Sequence, residues 1–383
     1  MTFLTKDLLA SLIKENYSET CVSIFIPTAQ AGKEVVEGSI RLKNLLKTAK
    51  GELEKEGISA KNIEELLKPA YDLVENSMFW SYQRDGLWIF INSEGIDYYR
   101  LPIKFRELVV VSKGLYIQPL LQLFSKDGEF YVLALSQQKV RLIHCTQYTS
   151  KEINLDALPS NMSDALGYDT DSEKQLQHRV GGSDRNDIMY HGHGTGNEEH
   201  KKDIHKFLQL INAGLPDYIK SNNAPIVLAG VDYILSIFRK MNTYNNILDK
   251  GMLGNADELS PVELQRKAWE IVSTYFDKPL QESIIEYDQK KGSAEVCNDI
   301  KKIVNYAYNG QIKILFITSG IHQWGAYDPT TSSTQLYGEK LTDSIDLLNF
   351  AAIHTFLNGG NVYEVTKEEI PKKSLLCSFK ILK

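Results

Sequence analysis

The most unusual stretch of the sequence is His191-Gly192-His193-Gly194-Thr195-Gly196-Asn197. Glycines at alternating positions let the backbone enter φ > 0 and let another molecule approach closely. Three chemistries could use such a stretch. The first is a phosphate cradle, with glycines presenting N–H groups ahead of a helix. Against it, the spacing is neither G-x-G-x-x-G nor a Walker A, and no strand directly precedes it. Glu198 and Glu199 would also repel an anion at the first helical turn. The second is a metal centre, since His178, His191, His193, His200 and His205 fall close together and His-x-His is a chelating spacing. His200 and His205 lie about 140° apart around a helix and cannot share one face. His200 falls on the stripe of Ile204 and Phe207, where a packed histidine is expected. The third is a surface loop whose glycines serve backbone shape alone.

Other candidates are weaker. Asp232 follows the apolar run Ile226-Val227-Leu228-Ala229-Gly230, at the strand end where α/β folds often place functional groups. A turn or helix-capping role explains it as well. His322 and Trp324 follow a similar run, where packing or partner contact is expected. There is no G-x-S-x-G, and Cys21, Cys145, Cys297 and Cys377 show no C-x-x-C spacing. A hydrolase with its own triad is not supported. The candidates for RNA contact are Arg41, Lys43, Lys47 and Lys50, with Lys201, Lys202 and Lys206; both runs contain acids or alternate with apolar residues, for which an ordinary solvated face is the default.

The elements that must position these residues alternate between strand and helix. Val22-Ser23-Ile24-Phe25-Ile26 predicts a strand, and Leu42, Leu45, Leu46, Ala49 and Leu53 predict a long helix. Phe130 to Leu135 and Val140 to Ile143 predict a hairpin turning at Ser136-Gln137-Gln138-Lys139. Apolar periodicity then disappears between about 156 and 197, a long loop for a compact protein. It returns as a helical stripe of Ile204, Phe207, Leu208, Ile211 and Leu215. Ser260-Pro261-Val262-Glu263 predicts a capping box opening another helix. The expectation is an α/β chain with mixed sheets and three domains: 1–115, 116–258 with the 156–197 loop, and 259–383.

Composition bounds the class. The 383 residues carry 43% hydrophobic and 24% charged residues, ordinary for a globular protein. Forty-three Lys+Arg against 49 Asp+Glu give a net charge of -6, which argues against wrapping bare DNA. No apolar run approaches the roughly 20 residues that cross a bilayer, and the N-terminus lacks a signal-peptide pattern. A cytoplasmic location is expected, with neither membrane nor DNA as partner.

Several stretches, in order, resemble the bacterial branch of the archaeo-eukaryotic release factor family, relatives of Pelota-type rescue factors. They are Val22-Ser23-Ile24-Phe25-Ile26-Pro27-Thr28, Ile40-Arg41-Leu42-Lys43-Asn44-Leu45-Leu46 and Phe130-Tyr131-Val132-Leu133-Ala134-Leu135-Ser136. The series continues through His191-Gly192-His193-Gly194, Leu228-Ala229-Gly230-Val231-Asp232-Tyr233 and Gly359-Gly360. The resemblance implies a ribonuclease-H-like middle domain and a C-terminal domain like kink-turn-binding ribosomal proteins. It also implies a termination or rescue-like role, with the ribosome and peptidyl-tRNA as partners and room for a translational GTPase. In that family a His-Gly-Arg-Gly-Gly-Gln loop promotes hydrolysis of peptidyl-tRNA. Here His191, Gly192 and Gly194 match, His193 replaces the arginine, Thr195 the second glycine, and Gly196 the glutamine. Asn197 reaches the glutamine position only if the loop shifts by one residue. The candidate catalytic set is therefore His191 to Asn197, any activity being ribosome-assisted ester hydrolysis with no cofactor. Two other classes stay open: a metal-dependent hydrolase using His191 and His193, and a non-catalytic protein that binds RNA or the ribosome.

Overall fold

A computed structural model describes residues 4–17, 19–29, 34–125, 128–167, 195–220, 223–290, 292–369 and 376–380. The chain divides into two compact units, Met1–Ser125 together with Pro279–Lys383, and Lys126–Lys278.

The N-terminal part of the first unit contains α1 (Lys6–Glu15), β1 (Thr20–Pro27), α2 (Glu34–Lys55), α3 (Ala60–Glu75) and α4 (Ser77–Ser81). It continues with β2 (Gly86–Asn92), β3 (Gly95–Leu101), β4 (Leu108–Lys113) and the short α5 (Gln122–Ser125). The strands form one sheet in the order β3-β2-β1-β4, and every pairing is antiparallel. Strand–helix alternation suggested mixed sheets, but here only β2 and β3 form a tight hairpin, and β1 returns antiparallel to β2 and β4 across long connections, a direction that alternation alone does not fix. Along α2, Leu42, Leu46, Ala49 and Leu53 recur at three- and four-residue steps and are wholly buried. They pack on the face of the sheet that carries Val22, Ile24, Ile26, Leu87, Ile89 and Ile91.

The second unit holds β5 (Phe130–Leu135), β6 (Val140–Cys145), β7 (Ser150–Ile153), α6 (Met162–Leu166), α7 (Thr195–Gly214), β8 (Ile226–Gly230), α8 (Asp232–Met241) and β9 (Met252–Leu253). The helix α9 (Pro261–Gln289) begins within it. The predicted capping box is present: Ser260 N–H donates to Glu263 Oε2 at 2.9 Å, and Glu263 N–H to Ser260 Oγ at 3.3 Å. The sheet order is β7-β6-β5-β8-β9. β5, β8 and β9 run parallel, while β6 is antiparallel to both its neighbours. Both faces are covered, so β5 is an unbroken apolar run rather than an alternating one. Tyr131, Leu133 and Leu135 meet the core that includes Phe207, Leu208, Ile211 and Leu235, from α7 and α8. Phe130, Val132 and Ala134 meet Leu264, Ala268 and Val272 of α9.

The C-terminal part of the first unit adds β10 (Val296–Cys297), α10 (Ile300–Tyr308), β11 (Ile312–Thr318), β12 (Trp324–Asp328), β13 (Ser333–Leu336) and β14 (Ile345–Asp346). It ends with α11 (Leu347–Leu357), β15 (Asn361–Val365) and β16 (Leu376–Lys380). One sheet runs β10-β16-β11-β15 and a smaller one β13-β12-β14. Here β11 and β15 are parallel and β16 is antiparallel to β11, so this sheet is mixed as expected.

Within this unit, the His354 imidazole packs against Phe350 at 4.3 Å and Tyr308 at 5.1 Å between ring centroids. Its Nε2 is 3.1 Å from the Tyr17 hydroxyl. Burial pushes its pKa down to about 4, from an ordinary value of 6.5. The unfolded chain therefore binds the proton more readily than the folded one. The neutral ring's contribution is complete above pH ~6.5 and disappears as pH falls towards about 4. We expect wild type to lose about 1–3 kcal/mol more than His354→Gln between pH 7 and 4.5. Urea unfolding of both proteins across that range is the measurement. Parallel pH curves for the two would remove His354 as the source.

Candidate functional site

The site predicted from the sequence is built around α7. Four residues of the candidate set, His191, Gly192, His193 and Gly194, lie outside the described residues, as does His178. The other three, Thr195, Gly196 and Asn197, already belong to α7. The helix starts nine residues ahead of Ile204, the first residue of its apolar stripe, because polar turns do not register as apolar periodicity. The first N–H groups of a helix have no acceptor inside it. The backbone at Thr195 to Asn197 therefore supplies donors, and Glu198 in the first turn complements the helix dipole.

The buried stripe of Ile204, Phe207, Leu208 and Ile211 clamps α7 onto the sheet. Its outer face is solvated and carries both charges: Glu198, Glu199, Lys201, Lys202 and Lys206 are exposed. His200 and His205 are exposed too. For His200 this corrects the expectation of a packed ring, since the stripe narrows before it reaches that turn.

Of the loop expected from 156 to 197, the described residues 156–167 are anchored to the core. Leu158, Met162 and Ala165 pack against the core shared with α7. Val140 N–H donates to Ser160 O at 3.0 Å and Met162 N–H to Gln137 O at 2.8 Å, tying residues 160–162 to the hairpin. Gly214 sits so close to Leu158 that a Cβ would lie 2.5 Å from its Cδ2. Single apolar residues spaced by polar ones carry this anchoring, and no periodic stripe announces it.

At the carboxyl end of β8, Asp232 is the first residue of α8 and makes no side-chain cap; Val231 occupies the cap position. Asp232 is exposed and complements the helix dipole, which is a first-turn role rather than a capping one. Beside it, Gln137 Nε2 donates to the Tyr233 hydroxyl at 2.6 Å, joining the β5–β6 turn to α8.

Sequence reasoning missed Arg141, a buried guanidinium at the second position of β6. It pairs with Glu152 of β7 through two bonds of 2.8 Å and donates to Leu259 O at 2.6 Å. The arginine holds the Glu152 carboxyl below the usual carboxylate range. The signal was available: one arginine inside Val140-Arg141-Leu142-Ile143, with an acid on the next strand. This pair is a structural clamp, since its donors are consumed within the fold.

In the first unit, His322 Nδ1 lies 2.8 Å from Asp346 Oδ2, and the ring stacks on Trp324 at 5.6 Å. Asp346 also caps α11, accepting from Leu348 N–H at 3.0 Å. The packing role expected for His322 and Trp324 is the one observed. Among the described residues no group of three or more His, Cys, Asp or Glu could hold a metal ion. No helix among them is long and apolar enough to cross a membrane.

Residues 130–274 match the model of a family described as bacterial archaeo-eukaryotic release factor family 7. That segment begins with β5 and ends inside α9, so it nearly fills the second unit. The resemblance read from Phe130 to Ser136 and Leu228 to Tyr233 is borne out there. The stretches quoted from β1, α2 and Gly359-Gly360 lie outside it. No curated protein matches the chain. Similar solved structures include an archaeal translation termination factor, aRF1, at 13% identity, covering 99% of both chains with a TM-score of 0.24. Archaeoglobus fulgidus Pelota is 12% identical over 78% of this chain and 80% of its own, with a TM-score of 0.33. A ribosome-bound archaeal Pelota, described together with ABCE1, is 8% identical over 100% and 96%, with a TM-score of 0.36.

Proposed function

We propose that this chain, with its release-factor-family segment at 130–274, is a ribosome-associated termination or rescue-like factor. It would act on peptidyl-tRNA in the cytoplasm through a modified glycine-rich loop, with a translational GTPase as a further partner. The observation that carries this reading is the family match of the second unit. The five-stranded sheet supports a ribonuclease-H-like middle domain, since its order is 3-2-1-4-5 in chain numbering with only the second strand reversed. We keep the chain's division into parts near 115 and 258, the last part being like kink-turn-binding ribosomal proteins.

Hydrolysis in this reading rests on the backbone. His191, Gly192, His193 and Gly194 lead into the free N–H groups of Thr195, Gly196 and Asn197. A side chain that positions water or moves a proton typically contributes ~10²–10⁴ in rate, and Gly196 has none where the family carries glutamine. We therefore expect slow release or none, with the loop still required for function. That substitution also favours the second reading, a ribosome-binding protein that has lost catalysis.

Sucrose-gradient co-sedimentation of the full chain with ribosomes tests the shared premise, and failure to co-sediment would sink both readings. Release of labelled peptide from stalled ribosomes separates them. If release occurs, Gly194→Ala should impair it by restricting the backbone, and His193→Gln should be milder. The opposite ranking would replace the backbone reading with a histidine-centred site.

A further inference from the structure

The first unit contains a cavity of about 330 Å³ to which neither reading assigns a role. Its wall is drawn from α1, from the chain leaving β4, and from the start of α11. Apolar and aromatic groups dominate: Ile13, Tyr17, Leu115, Tyr116, Phe350 and Ile353. A concave, largely apolar space of this size with a few fixed polar groups suits a small organic ligand.

Two polar groups define which ligand. Tyr116 is only 2% exposed, yet its hydroxyl has no hydrogen-bond partner among the described residues. A cavity-wall phenol that spends no hydrogen bond within the fold can donate to an acceptor that enters the cavity. The His322 ring packs 5.5 Å from the Tyr116 ring between centroids, and the second group, the Asp346 carboxylate, lies beside it in the same wall. Its Oδ1 takes Leu348 N–H and a longer contact from Gln323 N–H, while Oδ2 meets His322 Nδ1. A carboxylate oxygen accepts more than one bond, so Oδ2 retains capacity for another donor. Asn349, also in the wall, is spent internally: its Oδ1 accepts from Ile117 N–H and its Nδ2 donates to Leu115 O. The cation among the lining residues, Lys113, is paired with Asp343 at 2.6 Å.

The wall thus offers one acceptor and one donor side by side, flanked by aromatic rings and without a free cation. A flat heteroaromatic edge with an N–H donor next to a ring acceptor is its complement, as on the amino edge of adenine. We propose that this cavity is a nucleobase site, taking the adenine-type edge between Asp346 and Tyr116 and excluding phosphate from its interior. The base can arrive as a free nucleoside or as an unstacked base of single-stranded RNA, and both present the same edge.

Titration calorimetry of the intact protein with adenosine and with a short single-stranded oligoadenylate tests the proposal. Binding of adenosine identifies the free nucleoside as sufficient; binding of the oligomer alone identifies the RNA-borne base. Binding of neither at millimolar concentration overturns the site. N6,N6-dimethyladenosine keeps the ring and loses the donors, so it should bind at least tenfold more weakly. Tyr116→Phe keeps the packing and removes the unpaired hydroxyl, and should weaken adenosine about tenfold without lowering thermal stability. Ile353→Trp should fill the cavity and abolish binding. Equal affinity for the dimethylated nucleoside, or unchanged affinity in both variants, would show that the ligand binds elsewhere.

Discussion

Arg141→Ala is expected to destabilise the second unit by about 3–5 kcal/mol, the range for breaking a buried pair from one side. The guanidinium is 5% exposed and spends its donors on Glu152 and on the carbonyl of Leu259, with longer approaches to Ala256 and Asp257. Those carbonyls belong to the segment that leads into the Ser260 capping box of α9. Removing the arginine leaves a half-buried carboxylate and several buried carbonyls without their donor, and truncation adds a void. Glu152→Gln should cost much less, because that side chain is 39% exposed and the carbonyl contacts survive. The pH dependence has a defined sign. Glu152 has its pKa lowered by Arg141, so the pair's stabilisation is present above the ordinary carboxylate value and is lost as pH falls through the folded one. The gap between wild type and Arg141→Ala should therefore narrow at acid pH, with the part due to the carbonyl contacts and packing remaining. Chemical denaturation at pH 7 and pH 3 is the check. A loss below about 1 kcal/mol at pH 7 would mean that water replaces the arginine without penalty.

Arg141 also marks where the sequence is legible. Periodicity identified the elements that bury a face: the alternate leucines of α2, the stripe of α7 and the continuous run of β5. Each works because burial imposes a spacing on apolar residues. The Ser260–Glu263 box was readable for a different reason, since both partners lie within one turn of chain. What escaped depends on partners distant in sequence. The antiparallel character of the first sheet depends on which strands meet, and apolar spacing is silent about that. Leu158, Met162 and Ala165 anchor residues assigned to a loop, but their neighbours come from α7 and the hairpin. The start of α7 at Thr195 was hidden because residues 198–202 are polar and exposed and bring no apolar stripe with them. The cavity beside Tyr116 was invisible for the same reason as Arg141: its wall joins residues about 340 positions apart, from Ile13 to Ile353. For the candidate site itself, residue types suggested the chemistry and the family resemblance supplied the role. The described structure adds the helix start and its unpaired N–H groups.

Gly230→Ala is expected to cost about 2–4 kcal/mol, through a collision as well as through conformation. Gly230 ends β8 with φ of +152°, a conformation that residues with a Cβ rarely adopt. It is clamped from both sides: it lies opposite Leu135 of β5 and Leu253 of β9, and its carbonyl accepts from Gly254 N–H at 3.1 Å. A Cβ there would sit 2.4 Å from the Leu135 carbonyl oxygen and 3.2 Å from Leu235 Cδ2. The side chain of Leu235 can yield, but the Leu135 backbone is held in the ladder and leads directly into the Ser136–Lys139 turn. Relief therefore requires strand ends to separate, which would loosen the Gln137–Tyr233 contact as well. Gly254, whose N–H donates to the Gly230 carbonyl, supplies the control. Its φ is +119°, yet nothing lies within 4 Å of a Cβ added to it. Gly254→Ala should thus cost about 1 kcal/mol, the conformational part alone. Thermal and urea unfolding of the two variants separate the terms. Equal losses would show that backbone conformation sets the cost and the approach to Leu135 contributes nothing. A near-neutral Gly230→Ala would show that the carboxyl end of β8 shifts freely, and that Asp232 and Tyr233 are not held in place by this strand.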